Sequence, residues 1–325
     1  MAGGIDSAQV ELAAAVKHGQ RKAIAEALNL LDNHSAAARA QATLLLDALL
    51  PDDLPDGGHL IGVTGPPGAG KSTLCAALIR HWRSHSLRVG VLAVDPSSSI
   101  SGGALLGDRL RLQIDPKDDG VFVRSLSSRG EFGGLAAEIW PMCLLLLATF
   151  DIVLVETVGV GQREADVFQL CDTTLFVVQP GAGDSVQFIK AGVMELPHVF
   201  AVNKSDLGEL AQRTLSALEG ALPGNHPDGH WKVPVVSTSA TTGEGVETLV
   251  AQLKAHQTAL LATNVTPTHR RRAQGHWLVK RLREEFGQRG IERLGGDRAL
   301  LDLVSSQSVN PLAQYADLRQ QCTRS

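Results

Sequence analysis

Hydrophobic positions change their period twice along the 325 residues. Between residues 7 and 50 apolar side chains recur three and four apart (Ile24, Leu28, Leu31, then Leu44, Leu45, Leu49), which predicts two or three helices. The stretch PDDLPDGG, 51–58, sets prolines and glycines among acids and marks a boundary. From 59 to about 262 the pattern becomes short β-rich runs separated by helical stretches: HLIGVTG, RVGVLAVD, VFVRSL, DIVLVET, TTLFVVQP, HVFAVNK and VPVVSTSA. They are almost continuously apolar, as strands of a parallel sheet covered on both faces must be. The alternation predicts an α/β fold with a doubly wound, mostly parallel sheet, whose ligands bind beyond the C-terminal strand ends. Polar residues end five runs: Lys71 beyond the first, then Asp95, Glu156, Asn203 and Ser239. After 265 the strands stop, and THRRRAQGHWLVKRLREEFGQRGIERL reads as a basic amphipathic helical region with a helical tail. Three regions follow: a helical N-terminal extension, 1–58; a sheet domain, 59–264; and a helical C-terminal region, 265–325.

Composition narrows the possibilities. With 44% apolar and 20% charged residues and a net charge of −4, the chain is an ordinary globular one. A dedicated nucleic-acid binder is usually basic; HRRR and KRLR lack interleaved aromatics and read as a solvated helix face or a subunit surface. Cys75, Cys143, Cys171 and Cys322 form no CxxC pair and read as free thiols in a reducing compartment. The N-terminus has neither a signal nor a transit pattern. The most apolar stretch, IWPMCLLLLATFDIVLVE, is broken by Pro141 and Asp151 and reads as a helix and a buried strand, with no membrane association. A cytoplasmic protein is expected.

Gly65, Gly70, Lys71 and Ser72 in VTGPPGAGKSTL match G-x-x-x-x-G-K-[ST]. Glycines let successive N–H groups turn inward on phosphate oxygens, and the following helix adds its positive end. Gly65, Pro66, Pro67, Gly68, Ala69, Gly70, Lys71, Ser72 and Thr73 are therefore candidate nucleotide contacts, with Lys71 on the β- and γ-phosphates and the Ser72 hydroxyl on Mg²⁺. Asn203, Lys204 and Asp206, in VNKSD, select the base. A carboxylate there accepts from guanine N1–H and its exocyclic amine, whereas adenine offers no donor at either place. The Lys204 stem can stack along the base, and Asn203 can tie this loop to the phosphate loop. Ser239 and Ala240, in TSATTGEG, are expected to offer backbone N–H groups to the guanine oxygen. GTP or GDP is the expected ligand.

Asp95 and Glu156 end neighbouring apolar runs and should face the phosphates; Asp108, on a Gly-rich stretch, is a third acid able to hold Mg²⁺ or water. Many GTPases follow D-x-x-G with a water-orienting Gln. Here Glu156 and Gly159 are followed by Val160, and Gln162 comes two positions later. Hydrolysis is expected to be slow alone and to rise when a partner orders the loops.

GVTGPPGAGKSTL, VLAVDPSSSISGGALLGDR, VETVGVGQREADV, QPGAGDSVQFIKAGVMELPHVFAVNKSD and TSATTGEGV together resemble the MeaB/ArgK family of P-loop GTPases. The resemblance covers nearly the whole chain. It implies a GTPase domain with a helical N-terminal extension and a C-terminal arm used in homodimerisation. The implied function is a chaperone of adenosylcobalamin-dependent acyl-CoA mutases, chiefly methylmalonyl-CoA mutase, that gates cofactor loading, protection and reactivation. Residues 180–192 fit the family's additional switch, where Asp184 and Lys190 would change partners between nucleotide states. RLRLQ after Asp108, and Ser185, Val186 and Phe188, depart from the pattern of relatives, so the partner mutase stays open. An amino-acid transport kinase would need a phosphoacceptor pocket that no motif supplies. The main alternative is a metallochaperone GTPase. Such proteins need thiolate and imidazole ligands near the switch loops, yet between 95 and 165 Cys143 is the only cysteine and there is no His. His226 and His230 are too few for a closed metal site. Trp277, Leu278, Leu282 and Phe286 follow helical spacing and could form a seam between subunits.

Overall fold

A computed structural model describes residues 7–50, 54–55, 57–96, 114–115, 117–128, 138–157, 164–181, 197–222, 226, 231–305 and 310–323. The chain divides into two compact units. One gathers Met1–Gly58, Ala137–Asp151 and Thr266–Ser325; the other holds His59–Ala136 and Ile152–Val265.

The second unit is built on seven parallel strands: β1 (His59–Thr64), β2 (Val89–Pro96), β3 (Val121–Ser128), β4 (Ile152–Thr157), β5 (Thr173–Val178), β6 (Val199–Val202) and β7 (Val235–Ser237). Each of the seven apolar runs forms one of them. Their spatial order is β3-β2-β4-β1-β5-β6-β7. Both faces are buried, which explains the near-absence of polar alternation. Within β5, Leu175 and Val177 join a core with Leu74, Leu78, Leu249 and Leu253 on one face. Phe176 and Val178 meet Phe168, Phe200 and Leu218 on the other. Gly62 in β1 is where a Cβ would lie 2.9 Å from Cys171 Sγ and strike Val167, so its absence allows the close approach of the helix Glu164–Leu170. The chain leaves β4 and enters β5 on the opposite side of β1, which places a topological switch point at the C-terminal end of β1.

At the other end of these strands lies a cluster of buried imidazoles. His59 Nε2 and His256 Nδ1 share the Thr173 hydroxyl at 2.6 and 2.7 Å. His198 stacks between His226 and His256 at centroid distances of 4.5 and 4.2 Å. The backbone N–H of Thr174 donates to His198 Nδ1, which fixes that nitrogen as an acceptor. His226 is thus a packed ring whose face meets another ring; His230 lies outside the described residues.

The first unit is helical: α1 (Ser7–Lys17), α2 (Arg21–Leu31), α3 (Ala36–Leu49), then Ile139–Leu147, Thr266–Arg293 with a break at Gly287, Gly296–Ser305 and Pro311–Thr323. Three helices occupy the N-terminal segment, and Ser35 caps the third by accepting from Ala38 N at 3.2 Å. Asn310 joins early to late sequence. Its Nδ2 donates to Thr43 O (2.9 Å) and Asp47 Oδ1 (2.8 Å), while its Oδ1 caps the last helix at Leu312 N (2.9 Å).

Within the basic runs Arg271, Arg272 and Arg283 keep the solvated face expected of them, whereas two arginines depart from it. Arg270, from HRRR, is 0% exposed and donates to the carbonyls of Pro55, Gly57 and Gly58. Arg281, from KRLR, is buried, pairs with Glu138 at 2.9 Å, and lies over the rings of Trp277 and Tyr315. A guanidinium tolerates burial when carbonyls or a carboxylate satisfy its fork, and the helical period alone does not reveal such partners. Trp277, Leu278 and Leu282 are likewise buried within this single chain. Among the described residues no helix is long and apolar enough to cross a membrane.

Candidate functional site

The loop Gly65–Gly70 leaves the switch-point end of β1 and opens the helix Lys71–Ser84. Gly70 caps that helix in the left-handed region (φ 85°, ψ 28°), which only glycine adopts at little cost. At Gly65 (φ 139°) a Cβ would collide with the carbonyl of Val177, so the loop lies directly over the end of β5. Lys71 is almost fully buried. Its Nζ donates to Gly65 O at 2.7 Å and Pro66 O at 3.0 Å, which curls the side chain back over its own loop. Ser72 Oγ donates to Glu156 Oε1 at 2.6 Å. A hydroxyl and a carboxylate from adjacent elements form a hard oxygen set of the kind Mg²⁺ takes. The register sets Ala93 of β2 beside Glu156 of β4, so Asp95 belongs to the neighbouring strand end. Only the backbone of Asp95 is described. Asp108, Gly159, Gln162, Asp184 and Lys190 lie outside the described residues.

The residues expected to select the base sit beyond β6 and β7. Asn203, 1% exposed, donates from Nδ2 to Ala69 O at 2.9 Å and accepts at Oδ1 from Ala240 N at 3.1 Å. One amide therefore joins the phosphate loop, the NKSD loop and the TSA loop. Asp206 lies on the 3₁₀ turn Ser205–Leu207, exposed, with Oδ1 held by the Ser239 hydroxyl at 2.7 Å. The backbone donors expected to meet the guanine oxygen are engaged within the protein. Ser239 N donates to Glu244 O (2.9 Å) and Ala240 N to Asn203 Oδ1. Here Ser239 acts through its side chain, which orients the carboxylate.

One residue of the site was absent from the sequence reading. Gln179 directly follows β5, and its Oε1 accepts from Lys204 Nζ at 2.7 Å. Lys204 Nζ also donates to Gly68 O at 2.8 Å. The signal was available: TTLFVVQP is an apolar run closed by a polar residue, as are the runs that end at Asp95, Glu156 and Asn203.

Cys75 lies on the same helix, fully buried. Burial pushes its thiol well up, Glu156 adds to this, and Lys71 opposes it. It stays a thiol at neutral pH and is a poor nucleophile. All four cysteines are free and buried. A disulfide reagent such as DTNB should therefore react with essentially none of them in the folded protein and with all four in guanidinium chloride. Rapid release of one equivalent of chromophore from native protein would contradict the burial.

The family model described as methylmalonyl Co-A mutase-associated GTPase MeaB matches residues 24–293. A Pyrococcus horikoshii protein described as a GTPase is 43% identical over 251 residues, 76% of this chain and 77% of that one. GTPase ArgK of Escherichia coli is 32% identical over 312 residues, 94% and 93% of the two chains. The mitochondrial methylmalonic aciduria type A homolog of Mus musculus is 32% identical over 279 residues, 82% and 67%. A crystal structure described as an LAO/AO transport system kinase superposes with a TM-score of 0.70 at 26% identity, covering 97% of this chain and 98% of that one. The parallel sheet with its flanking helices is thus a P-loop GTPase fold shared with a solved relative.

Proposed function

This chain belongs to the MeaB family of P-loop GTPases, the family named for methylmalonyl-CoA mutase, and on that premise we propose that it is a GTP-hydrolysing chaperone of an adenosylcobalamin-dependent acyl-CoA mutase. It would gate cofactor loading, protect the mutase during turnover and allow reactivation. The observation that carries the GTPase part is the Asn203 amide, which links the phosphate loop to both base loops at one strand-end site. The mutase part rests on the family.

Lys71 and the loop N–H groups would hold the phosphates, and Asp206 would read guanine. Ser72 and Glu156, with Asp95 and Asp108 as further acids, would hold Mg²⁺, whose charge offsets that of the β- and γ-phosphates when it is bound. On binding, the Lys71 ammonium exchanges the Gly65 and Pro66 carbonyls for phosphate oxygens. Lys71→Ala is therefore expected to slow hydrolysis about a hundredfold, since a donor aimed at developing phosphate charge is lost. Single-turnover hydrolysis measures it, and an unchanged rate would remove Lys71 from the mechanism. Basal hydrolysis is expected to be slow, because Val160 follows Gly159 where a water-orienting Gln is often found. Asp184 and Lys190 would switch partners with nucleotide state, and homodimerisation through the C-terminal region is part of the proposal.

GTP turnover by the purified chain, alone and with individual acyl-CoA mutases plus adenosylcobalamin, tests this function. Stimulation by one mutase is expected; no binding to any of them would leave a GTPase without this partner class. Metal delivery finds less support. Among the described residues one group could hold a metal ion, Asp32, His34 and Glu138, in the helical unit. Glu138 Oε1 there already lies 2.9 Å from Arg281 Nη1, and that guanidinium repels a cation.

A further inference from the structure

We propose that Gln179 is a positioning residue for guanine recognition: it anchors the Lys204 ammonium so that the lysine stem is held ready to cover the base. The inference deepens the nucleotide-binding reading above and rests on it. Asn203 N donates to Val178 O at 2.9 Å, which continues the pairing of β5 and β6 past their last strand residues and sets Gln179 beside Lys204. Lys204 adopts the left-handed region (φ 64°, ψ 43°), a conformation an unbranched non-glycine residue holds only when its surroundings over-determine it. Backbone bonds from Ser205 N to Thr238 O (2.9 Å) and from Leu207 N to Lys204 O (3.1 Å) hold it there, and two neutral oxygens hold the ammonium, Gly68 O at 2.8 Å and Gln179 Oε1 at 2.7 Å. Both bonds come from a charged donor and are of the stronger class. With the ammonium fixed at one end and a constrained backbone at the other, the four methylenes between them lose their rotamer freedom before a ligand arrives. A base then meets a prepared apolar stem, and the ordering cost is not charged to binding.

Gln179 also lies near the phosphate loop. A Cβ on Gly68 would lie 3.7 Å from its Oε1. Two residues on, Gly181 (φ 74°) comes so close to Leu210 that a Cβ would meet Leu210 Cδ2 at 3.0 Å. Gln179 and Gly181 therefore lie against Lys204 and Leu210, residues on either side of Asp206.

The test is release of a fluorescent mant-GDP from the full-length protein by stopped flow. Gln179→Ala should quicken release roughly tenfold, the cost of one charge-assisted hydrogen bond, with a similar factor for a non-hydrolysable GTP analogue. Gln179→Glu should restore slow release, because a carboxylate also accepts from the ammonium. On a Lys204→Met background, Gln179→Ala should add nothing further. A wild-type rate for Gln179→Ala, failure of the Glu variant to rescue, or additive effects with Lys204→Met would each overturn the proposal. If the wild-type chain holds no mant-GDP at all, the guanine-nucleotide reading fails first and takes this one with it.

Discussion

Asp206→Asn is expected to weaken GTP binding by on the order of 10³-fold and to create binding of XTP in its place. Guanine presents two donors side by side, N1–H and the exocyclic amine, and a carboxylate answers with two acceptors. Xanthine presents N1–H and a carbonyl at the same positions, so it needs one acceptor and one donor. In this site the Ser239 hydroxyl donates to Asp206 Oδ1 at 2.7 Å. The same bond would hold the Asn variant with its oxygen on the Ser239 side and offer its amine on the other arm. Against GTP that amine meets an N–H and leaves buried donors opposed, which is the expensive outcome of a polar mismatch. Competition between guanine and xanthine nucleotides for the variant measures both effects. Equal GTP affinity in wild type and variant would show that Asp206 does not read the base.

Arg270→Ala is expected to cost the helical unit about 1.5–3 kcal/mol, the range for losing hydrogen bonds made by a charged donor. The side chain is wholly buried and satisfies three carbonyls of the 55–58 segment at once. Truncation leaves those oxygens without their donor and opens a void the size of a guanidinium. Arg270→Lys should recover only part of the loss, because a single ammonium lacks the fork that spans the carbonyls. Guanidinium denaturation followed by far-UV circular dichroism would show the shift. An Ala variant as stable as wild type would mean that the Pro55–Gly58 carbonyls are equally well hydrated without Arg270.

Strand positions were legible because a buried parallel strand leaves an unbroken apolar run, and a polar residue at its end has few reasons to be there except a ligand. That logic singles out Lys71, Glu156 and Asn203 and, applied once more to TTLFVVQP, reaches Gln179. The partners of the backbone donors were not legible. Whether Ala240 N points at a base or at Asn203 Oδ1 depends on how two loops far apart in sequence approach each other. Burial of Arg270 and Arg281 was hidden for a related reason. Charge and helical period describe a helix by itself, whereas the acceptors come from residues 55–58 and from Glu138. The break at Gly287 also escaped the periodicity, since an isolated glycine inside a helical pattern reads as a tolerated helix residue.

The Asn310 contacts have a consequence for synthesis. Thr43 and Asp47 leave the ribosome early, but the asparagine that binds them comes about 260 residues later, roughly 15 to 50 s at ordinary elongation rates. For that interval the first three helices pack on one another and then on Ile139–Leu147 but lack the last helix, while the strands of the sheet emerge. A chain truncated before residue 310 should therefore keep the strands of the sheet but lose the Asn310 anchor of its third helix.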